Sequence, residues 1–372
     1  MKPERARSKV PVARPWLPDA ERYLDVFRDV LERRYLSNFS RYCELLERRA
    51  SEVLEHPNVL CASSCDVAMV LAWRALGLTS GEVIVPSFTF CSTVNAMRWN
   101  GLAPVFADVD PATLCVSVDH VRELIGPRTV AIAAVHTFGR PAPIAELEAL
   151  AKERGLALLF DAAHGLGARA EGRALGSRGD ASVFSLSGTK LVTAGEGGLV
   201  TFRDPVAADR FLRLRAYGFV GDYNCREVGL NSKLSELNAG LGWVTLGRIE
   251  DAVNRRQEIV AAYAARLRGV RGLEMQSRAD GNARHAYKDF AVLFPTGRAR
   301  LRAQEALAGA GVETKRYFLP VHTMDAYRAW AGASLPVTTD VYDRILCLPI
   351  FHEIEEEEIE HVSRTILHSL DP

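Results

Sequence analysis

From about Asn58 to Phe202 the chain alternates short, unbroken apolar runs with helical patterns, and this alternation restricts the fold more than any other feature. The runs are Val59–Cys61, Val83–Val85, Pro104–Phe106, Val130–Val135, Leu158–Phe160, Val183–Ser185 and Leu199–Phe202. They are continuous rather than polar at every second position, as strands are when both faces of a mostly parallel sheet are covered. Between them lie helical stretches at Val67–Leu76, Cys91–Trp99 and Ile144–Arg154. Pro143 stands just ahead of the last, and Gly77, Gly101 and Gly155 follow the ends, which is ordinary helix punctuation. Alternation of this kind specifies an α/β fold with a large three-layer domain.

After about Ser232 the pattern changes. Long helical stretches are expected at Leu234–Ile249 and Asp251–Leu267, a strand at Ala286–Phe294, a helix at Arg298–Ala310 and an extended segment at Val312–Phe318. A last helix, Ile354–Leu370, carries the apolar stripe Ile359, Val362, Ile366 and Leu370. We therefore expect a large domain over residues 51–250 and a smaller α/β domain over 251–372. An N-terminal arm and helix, 1–50, is expected to contribute to the smaller domain.

Charge excludes some functions. Forty-six Lys and Arg balance forty-six Asp and Glu, so nothing favours nucleic acid or an anionic membrane. Seven irregularly spaced cysteines suit reduced thiols in the cytoplasm rather than a disulfide framework. Cys61 and Cys65 stand four apart, but no second pair or histidine cluster completes a metal site. No apolar run reaches the ~18–20 residues of a membrane span. Lys2, Arg5, Arg7, Lys9 and Arg14 form a basic arm without the apolar segment of a signal peptide. The acidic run Glu353–Glu360 suits a solvated first turn of the last helix.

The chemistry gathers where strands are expected to end. Asp161 closes the run Leu156–Phe160, and Lys190 follows the next strand in Phe184-Ser185-Leu186-Ser187-Gly188-Thr189-Lys190. A lysine amine can condense with an aldehyde, and an acid can keep a pyridine nitrogen protonated; together they suit pyridoxal 5'-phosphate (PLP). Ser63-Ser64-Cys65-Asp66 lies between a strand and a helix, where free N–H groups can donate to a phosphate. Phe90 could lie flat on a heteroaromatic ring. Ser185 could bond the phosphate, and His164 could pack over the ring. Gly195-Glu196-Gly197-Gly198 allows a tight turn beside it. Singly, each has an ordinary alternative: Ser64 and Asp66 as helix caps, Phe90 as a core or surface aromatic, Asp161 as a cap, His164 as a structural histidine, Asn231 as a turn residue and Lys190 as a surface lysine.

As an ordered set these segments resemble the DegT-type sugar aminotransferases, PLP enzymes of the aspartate-aminotransferase (type I) fold. The matching stretches include Gly81–Phe90, Pro104–Asp110, Val135–Gly139, Asp161–His164, Thr189-Lys190 with Gly195–Gly198, and Gly229–Glu236. The resemblance implies that Lys190 condenses with the cofactor and Asp161 pairs with its ring nitrogen. It implies that Phe90 stacks on the ring, and that His164 contacts its other side or edge. Ser64, Ser185 and the turn at Cys65 and Asp66 are implied to bind the phosphate. Asn231 is implied to reach the phosphate of a neighbouring subunit in a homodimer. Arg316, Tyr317 and His322 match a substrate-side stretch. The implied substrates are a keto sugar, nucleotide-linked, with glutamate or glutamine as amine donor. One departure stands out. The family's phosphate turn usually carries Gly or Ala and then Thr, where this chain has Cys65 and Asp66. A carboxylate there would repel a phosphate by roughly 1–4 kcal/mol at ~4 Å.

Three other readings share the motifs. A keto-cyclitol or an aminobenzoate precursor would keep the chemistry and change the substrate. A deoxysugar dehydratase would replace the lysine by histidine, which Lys190 opposes. A non-catalytic protein of the same fold would find its only support in Asp66.

Overall fold

The computed structural model describes residues 10–276, 283–332 and 334–370. The basic residues Lys2, Arg5, Arg7 and Lys9 of the N-terminal arm lie outside them. Two helices come first, α1 (Ala20–Arg33) and α2 (Arg41–Leu54). The seven apolar runs then form β1 (Val59–Ala62), β2 (Glu82–Pro86), β3 (Ala103–Ala107), β4 (Thr129–Val135), β5 (Ala157–Asp161), β8 (Ala181–Ser185) and β9 (Gly198–Phe202). A small hairpin, β6 (Arg169–Ala170) and β7 (Arg173–Ala174), falls between the fifth and sixth. The seven make one sheet in the order β1-β9-β8-β5-β4-β2-β3. The links β2–β3, β2–β4, β4–β5 and β5–β8 are parallel, and β9 alone runs against its neighbours.

Helices cover both faces: α3 (Cys65–Ala75), α4 (Cys91–Trp99) and α7 (Pro205–Leu214) on one side, and α2, α6 (Ile144–Arg154) and α8 (Glu236–Leu246) on the other, with α5 (Val118–Leu124) after β3. Alternate residues of the strands feed two separate cores. Ile84, Ile132, Leu158 and Phe184 point to one, and Val83, Ala131, Leu159 and Val183 to the other. This two-sided burial is why the runs are unbroken.

The smaller domain has an antiparallel sheet of β10 (Glu274–Met275), β11 (Phe290–Leu293) and β12 (Ile345–Leu348). It is packed by α10 (Gly297–Gly309) and α12 (Glu356–Leu370), with α11 (Pro336–Arg344) leading into β12. The stripe residues Ile359, Val362 and Ile366 are buried, while the acids of the first turn of α12 mostly face solvent. The expected extended segment at 312–318 forms isolated bridges, Val312 to Val10 and Lys315 to Cys347, rather than a strand.

The N-terminal segment divides between the domains, unlike the expectation that it belongs with the smaller one. Val10 and Val12 bond Gly311, Glu313 and Ile350 of the small domain, and Trp16 stacks on His352. The helices α1 and α2 instead pack on α8 of the large domain, burying Val26, Val30, Leu46 and Leu54. The physical reason is Glu236. Its buried carboxylate accepts the Tyr42 and Cys43 N–H groups at 2.8 and 3.2 Å, satisfying donors that the start of α2 leaves free. The domain boundary expected at 250 falls inside one continuous helix, α9 (Ile249–Arg266). Ile249 and Val253 join the large core, and Ile259, Val260 and Tyr263 the small one.

A fourth cluster closes the seam. Phe88, Val109, Leu114 and Phe138 of the large domain meet Ala291, Leu293, Phe318 and Val341 of the small one. Asp108, just past β3, caps α11 across this seam, accepting the Thr338 N–H and hydroxyl, both at 2.6 Å, and the Val337 N–H at 3.0 Å.

Candidate active site

The carboxyl ends of β1, β2, β5 and β8 open on a cavity of about 380 Å³, where open α/β sheets bind ligands. Of the expected cofactor-side residues, Ser64, Cys65, Asp66, Phe90, Asp161, His164, Ser185 and Lys190 all line it.

Asp161 is held by two donors. Its Oδ2 accepts the Thr93 hydroxyl at 2.6 Å and its Oδ1 the Ala163 N–H at 3.0 Å. Thr93 is in turn paired with Thr89, the hydroxyl oxygens 2.8 Å apart. Burial pushes the Asp161 carboxyl above its usual range, while Thr93, Ala163 and Lys190 draw it back. An acid so placed is held in one orientation by two donors, which is what facing a ring nitrogen demands.

Lys190 stands on the turn after β8, its N–H bonded to the Ser187 carbonyl at 3.0 Å. Burial and then the Lys288 ammonium lower its amine from 10.5 to about 8, against the pull of Asp289 and Asp161. Neutral amine, the nucleophilic form, is thereby accessible near neutral pH. Gly195, in the left-handed region at φ +77°, turns the chain beneath it. Gly198 allows a close approach, since a Cβ there would stand 2.7 Å from the Ser64 carbonyl oxygen and 2.9 Å from the Cys65 nitrogen.

The helix end at α3 suits an anion. Ser64 caps it, its hydroxyl accepting the Val67 N–H at 3.2 Å, and its carbonyl takes the Ala68 N–H. The Cys65 and Asp66 N–H groups are left without acceptors among the described residues. Ser185 and Ser187 add hydroxyls 3.3 Å apart on the same cavity wall. The Cys65 thiol is pushed well above its usual range by burial, then by the Asp161 charge, and stays protonated. Asp66 is exposed in the first turn of α3.

Phe90 presents a 56% exposed ring over the cavity from the N-cap of α4. His164 is driven well below its usual range by burial, then by Lys190 and Lys288, so the ring is neutral. It lies nearly parallel to Phe138 and Phe318 at centroid distances of 6.3 and 6.2 Å.

Three expected residues lie outside the cavity. Asn231 is exposed on the segment paired with Ala216. Arg316 turns toward α11, where its Nε donates to the Tyr342 carbonyl at 2.9 Å and its guanidinium covers the Tyr342 ring. His322 shares a 2.6 Å hydrogen bond with Ser87. Of the substrate-side stretch only Tyr317 lines the cavity, beside Phe318. Residues that sequence reasoning missed are Thr93, Thr89 and Lys288. The first two flank Phe90 one helical turn apart, a signal available in Thr89-Phe90-Cys91-Ser92-Thr93. Lys288 is delivered by the other domain, and no local pattern marks it.

An oriented buried acid, a lysine with a lowered pKa, a helix end with free donors and an open aromatic ring fit PLP in size and chemistry. The fold and the cavity together define a PLP-dependent aminotransferase. The sequence model of the DegT/DnrJ/EryC1/StrS aminotransferase family matches residues 19–367, and the chain belongs to that family. The chain is 29% identical to the dTDP-4-amino-4,6-dideoxy-D-glucose transaminase of Escherichia coli over 96% of its length and 98% of that protein. It is 31% identical to the GDP-perosamine synthase of Vibrio cholerae, covering 96% and 98%. Among solved structures, DesI in the presence of its TDP-sugar product superposes with a TM-score of 0.91 at 34% identity, covering 98% of this chain and 93% of that one. The aminotransferase TlmJ from Streptoalloteichus hindustanus gives 0.91 at 31%, covering 97% and 98%.

Proposed function

We propose that this enzyme moves the amino group of glutamate or glutamine to the carbonyl carbon of a nucleotide-linked keto sugar, making an amino sugar. The observation that carries this reading is the meeting of Lys190 and Asp161 in one cavity. The names of the similar proteins, which concern dTDP-, GDP- and UDP-linked sugars, support the substrate class. Bound PLP supplies an electron-poor ring that withdraws charge from the substrate carbon.

The protein's own groups do the rest. Asp161 holds its carboxylate toward the ring nitrogen, kept in place by Thr93 and Ala163. Phe90 covers one ring face, and neutral His164 with Phe318 behind it bounds the site without adding charge. The Cys65 and Asp66 N–H groups, with Ser185 and Ser187, take the phosphate. The Lys190 amine, lowered to about 8, moves the proton at the reacting carbon as general base and acid. Tyr317 faces the substrate.

We further propose a homodimer in which Asn231 serves the neighbouring subunit's phosphate. Asn231 is exposed in a segment that also exposes Tyr223 by 95%, Val228 by 75% and Leu230 by 44%, an apolar surface suited to a partner. Among the described residues no helix is long and apolar enough to cross a membrane.

The test is spectroscopic, then preparative. The holoenzyme should lose its visible absorbance on adding glutamate or glutamine. It should regain it with one member of a panel of dTDP-, GDP- and UDP-linked keto sugars. Recovery with a keto-cyclitol or an aminobenzoate precursor, and with no keto sugar, would refute the substrate class.

A further inference from the structure

We propose that Lys288 binds the α-carboxylate of the amino donor. Lys288 leads into β11 of the small domain, and its side chain reaches the cavity while only 4% exposed. Its Nζ donates to Asp289 Oδ1 at 2.9 Å, and Asp289 is itself 5% exposed. An ammonium has three donors, and this contact uses one. The backbone is fixed as well, the Lys288 N–H bonding the Phe138 carbonyl of the large domain at 2.8 Å.

A buried ion pair is poor evidence of stability, because desolvation consumes most of its attraction. Two apolar side chains would fill the same seam. A buried lysine that lines a cavity, with an acid bonded to its ammonium, is better explained by an anion that arrives there. Asp289 is suited to that supporting role. Burial raises its carboxyl and Lys288 then draws it down to about 2, so it stays ionised.

The remaining charges identify the anion. Among the described residues lining the cavity, Asp66, Asp161 and Glu196 are acids, and Lys190 and Lys288 are the two cations. Lys190 serves the reacting carbon. His164 is neutral, and Arg316 is turned toward α11. The cofactor phosphate has its own donors at α3, in the other domain. A nucleotide-linked sugar carries its charge on the diphosphate, remote from the ring carbon that receives nitrogen. An α-amino acid carries a carboxylate on the reacting carbon itself. Lys288 and Lys190 line the same cavity, so an anion that meets Lys288 while the reacting carbon is at Lys190 is the one attached to that carbon.

The inference rests on an α-amino acid donor, and glutamate and glutamine serve it equally. The experiment uses the holoenzyme and three variants: Lys288→Met, Lys288→Arg, and Lys288→Met with Asp289→Asn, which leaves no unpaired buried charge. α-Methyl-L-glutamate, which binds but has no α-proton to lose, is titrated by its spectral change. The KM for glutamate and glutamine is measured beside the rate at which the pyridoxamine form aminates its ketone. The double variant should bind α-methyl-L-glutamate at least tenfold more weakly and raise donor KM by the same factor. Lys288→Arg should keep most of the affinity and keep ketone amination within twofold, and the double variant, which removes both charges that act on Lys190, should lose clearly less in ketone amination than in donor affinity. Unchanged donor affinity in the double variant, or an equal loss in both half-reactions, would overturn the proposal. Failure of the unaltered enzyme to react with either amino acid would count against the donor proposed above instead.

Discussion

Lys190 should destabilise the protein that carries it when no cofactor is bound. Its amine falls from 10.5 to about 8 on folding, chiefly through burial and then through Lys288. Between those two values the unfolded chain binds a proton that the folded chain has released, so stability must rise with pH across that window. Below about 8 the folded protein carries a charged amine in a place that disfavours it. The difference of about 2.5 pH units corresponds to about 3 kcal/mol at ~1.4 kcal/mol per unit. Water reaches the side chain through the cavity mouth, which reduces the expected figure to about 1–3 kcal/mol. Lys190→Met removes the proton and keeps the stem. Apo-enzyme and apo-variant are unfolded in urea at intervals from pH 6.5 to 10.5, and their difference is followed. The variant should be the more stable at pH 7, and its advantage should shrink steadily above pH 8. Effects of the substitution that do not involve a proton move the whole difference without changing its slope. Curves that stay parallel from pH 7 to 10.5 would show that the amine is not perturbed, and the argument for a reactive lysine would lose its electrostatic basis.

Thr93→Val removes a hydroxyl donor from the Asp161 carboxylate without changing size. A bond to a charged group contributes about 1.5–3 kcal/mol, so cofactor affinity or kcat should fall roughly 10- to 100-fold, with Thr93→Ser close to normal. Gly198→Ala forces a Cβ against the backbone of Ser64 and Cys65, at a cost of about 1–3 kcal/mol. PLP titration should show weaker cofactor binding, because the start of α3 is displaced. Arg215→Met strands Glu47 and the Cys61 carbonyl, now met by Arg215 Nη1 at 2.7 and 2.6 Å. With the guanidinium side chain 3% exposed, the loss should be about 3–5 kcal/mol in chemical denaturation.

The strands of the large sheet were legible because burial on both faces leaves no polar positions, and all seven runs became strands. Direction was not legible. Leu199–Phe202 reads like its neighbours, yet β9 runs antiparallel, because a run of apolar side chains carries no record of which way its hydrogen bonds slant. The placement of α1 and α2 was hidden for a different reason. It depends on Glu236 meeting Tyr42 and Cys43 from nearly two hundred residues away, and a single acid at a helix start looks the same whether it faces water or another helix end. Arg316 illustrates the same difficulty at the site. Its position in the chain suggested the substrate, but the Tyr342 carbonyl and ring decide where it points.

The legible part of the site is therefore the part that rides on one sheet. Ser64, Phe90, Asp161, Ser185 and Lys190 follow strand ends, and a parallel sheet brings such ends together whatever lies between them. Lys288, Tyr317 and Phe318 come from the other domain, and their approach to Lys190 depends on the seam. Asp108 carries much of that duty. Its carboxylate takes three donors from Val337 and Thr338 at the start of α11. In the chain it is one acid of Asp108-Val109-Asp110, with no sign of what it holds. Together with the apolar cluster around Phe88 and Phe138, this carboxylate positions the small-domain residues across the seam. The site is thus assembled by two mechanisms, strand topology and a capped helix across the seam, and only the first leaves a periodic trace in the sequence.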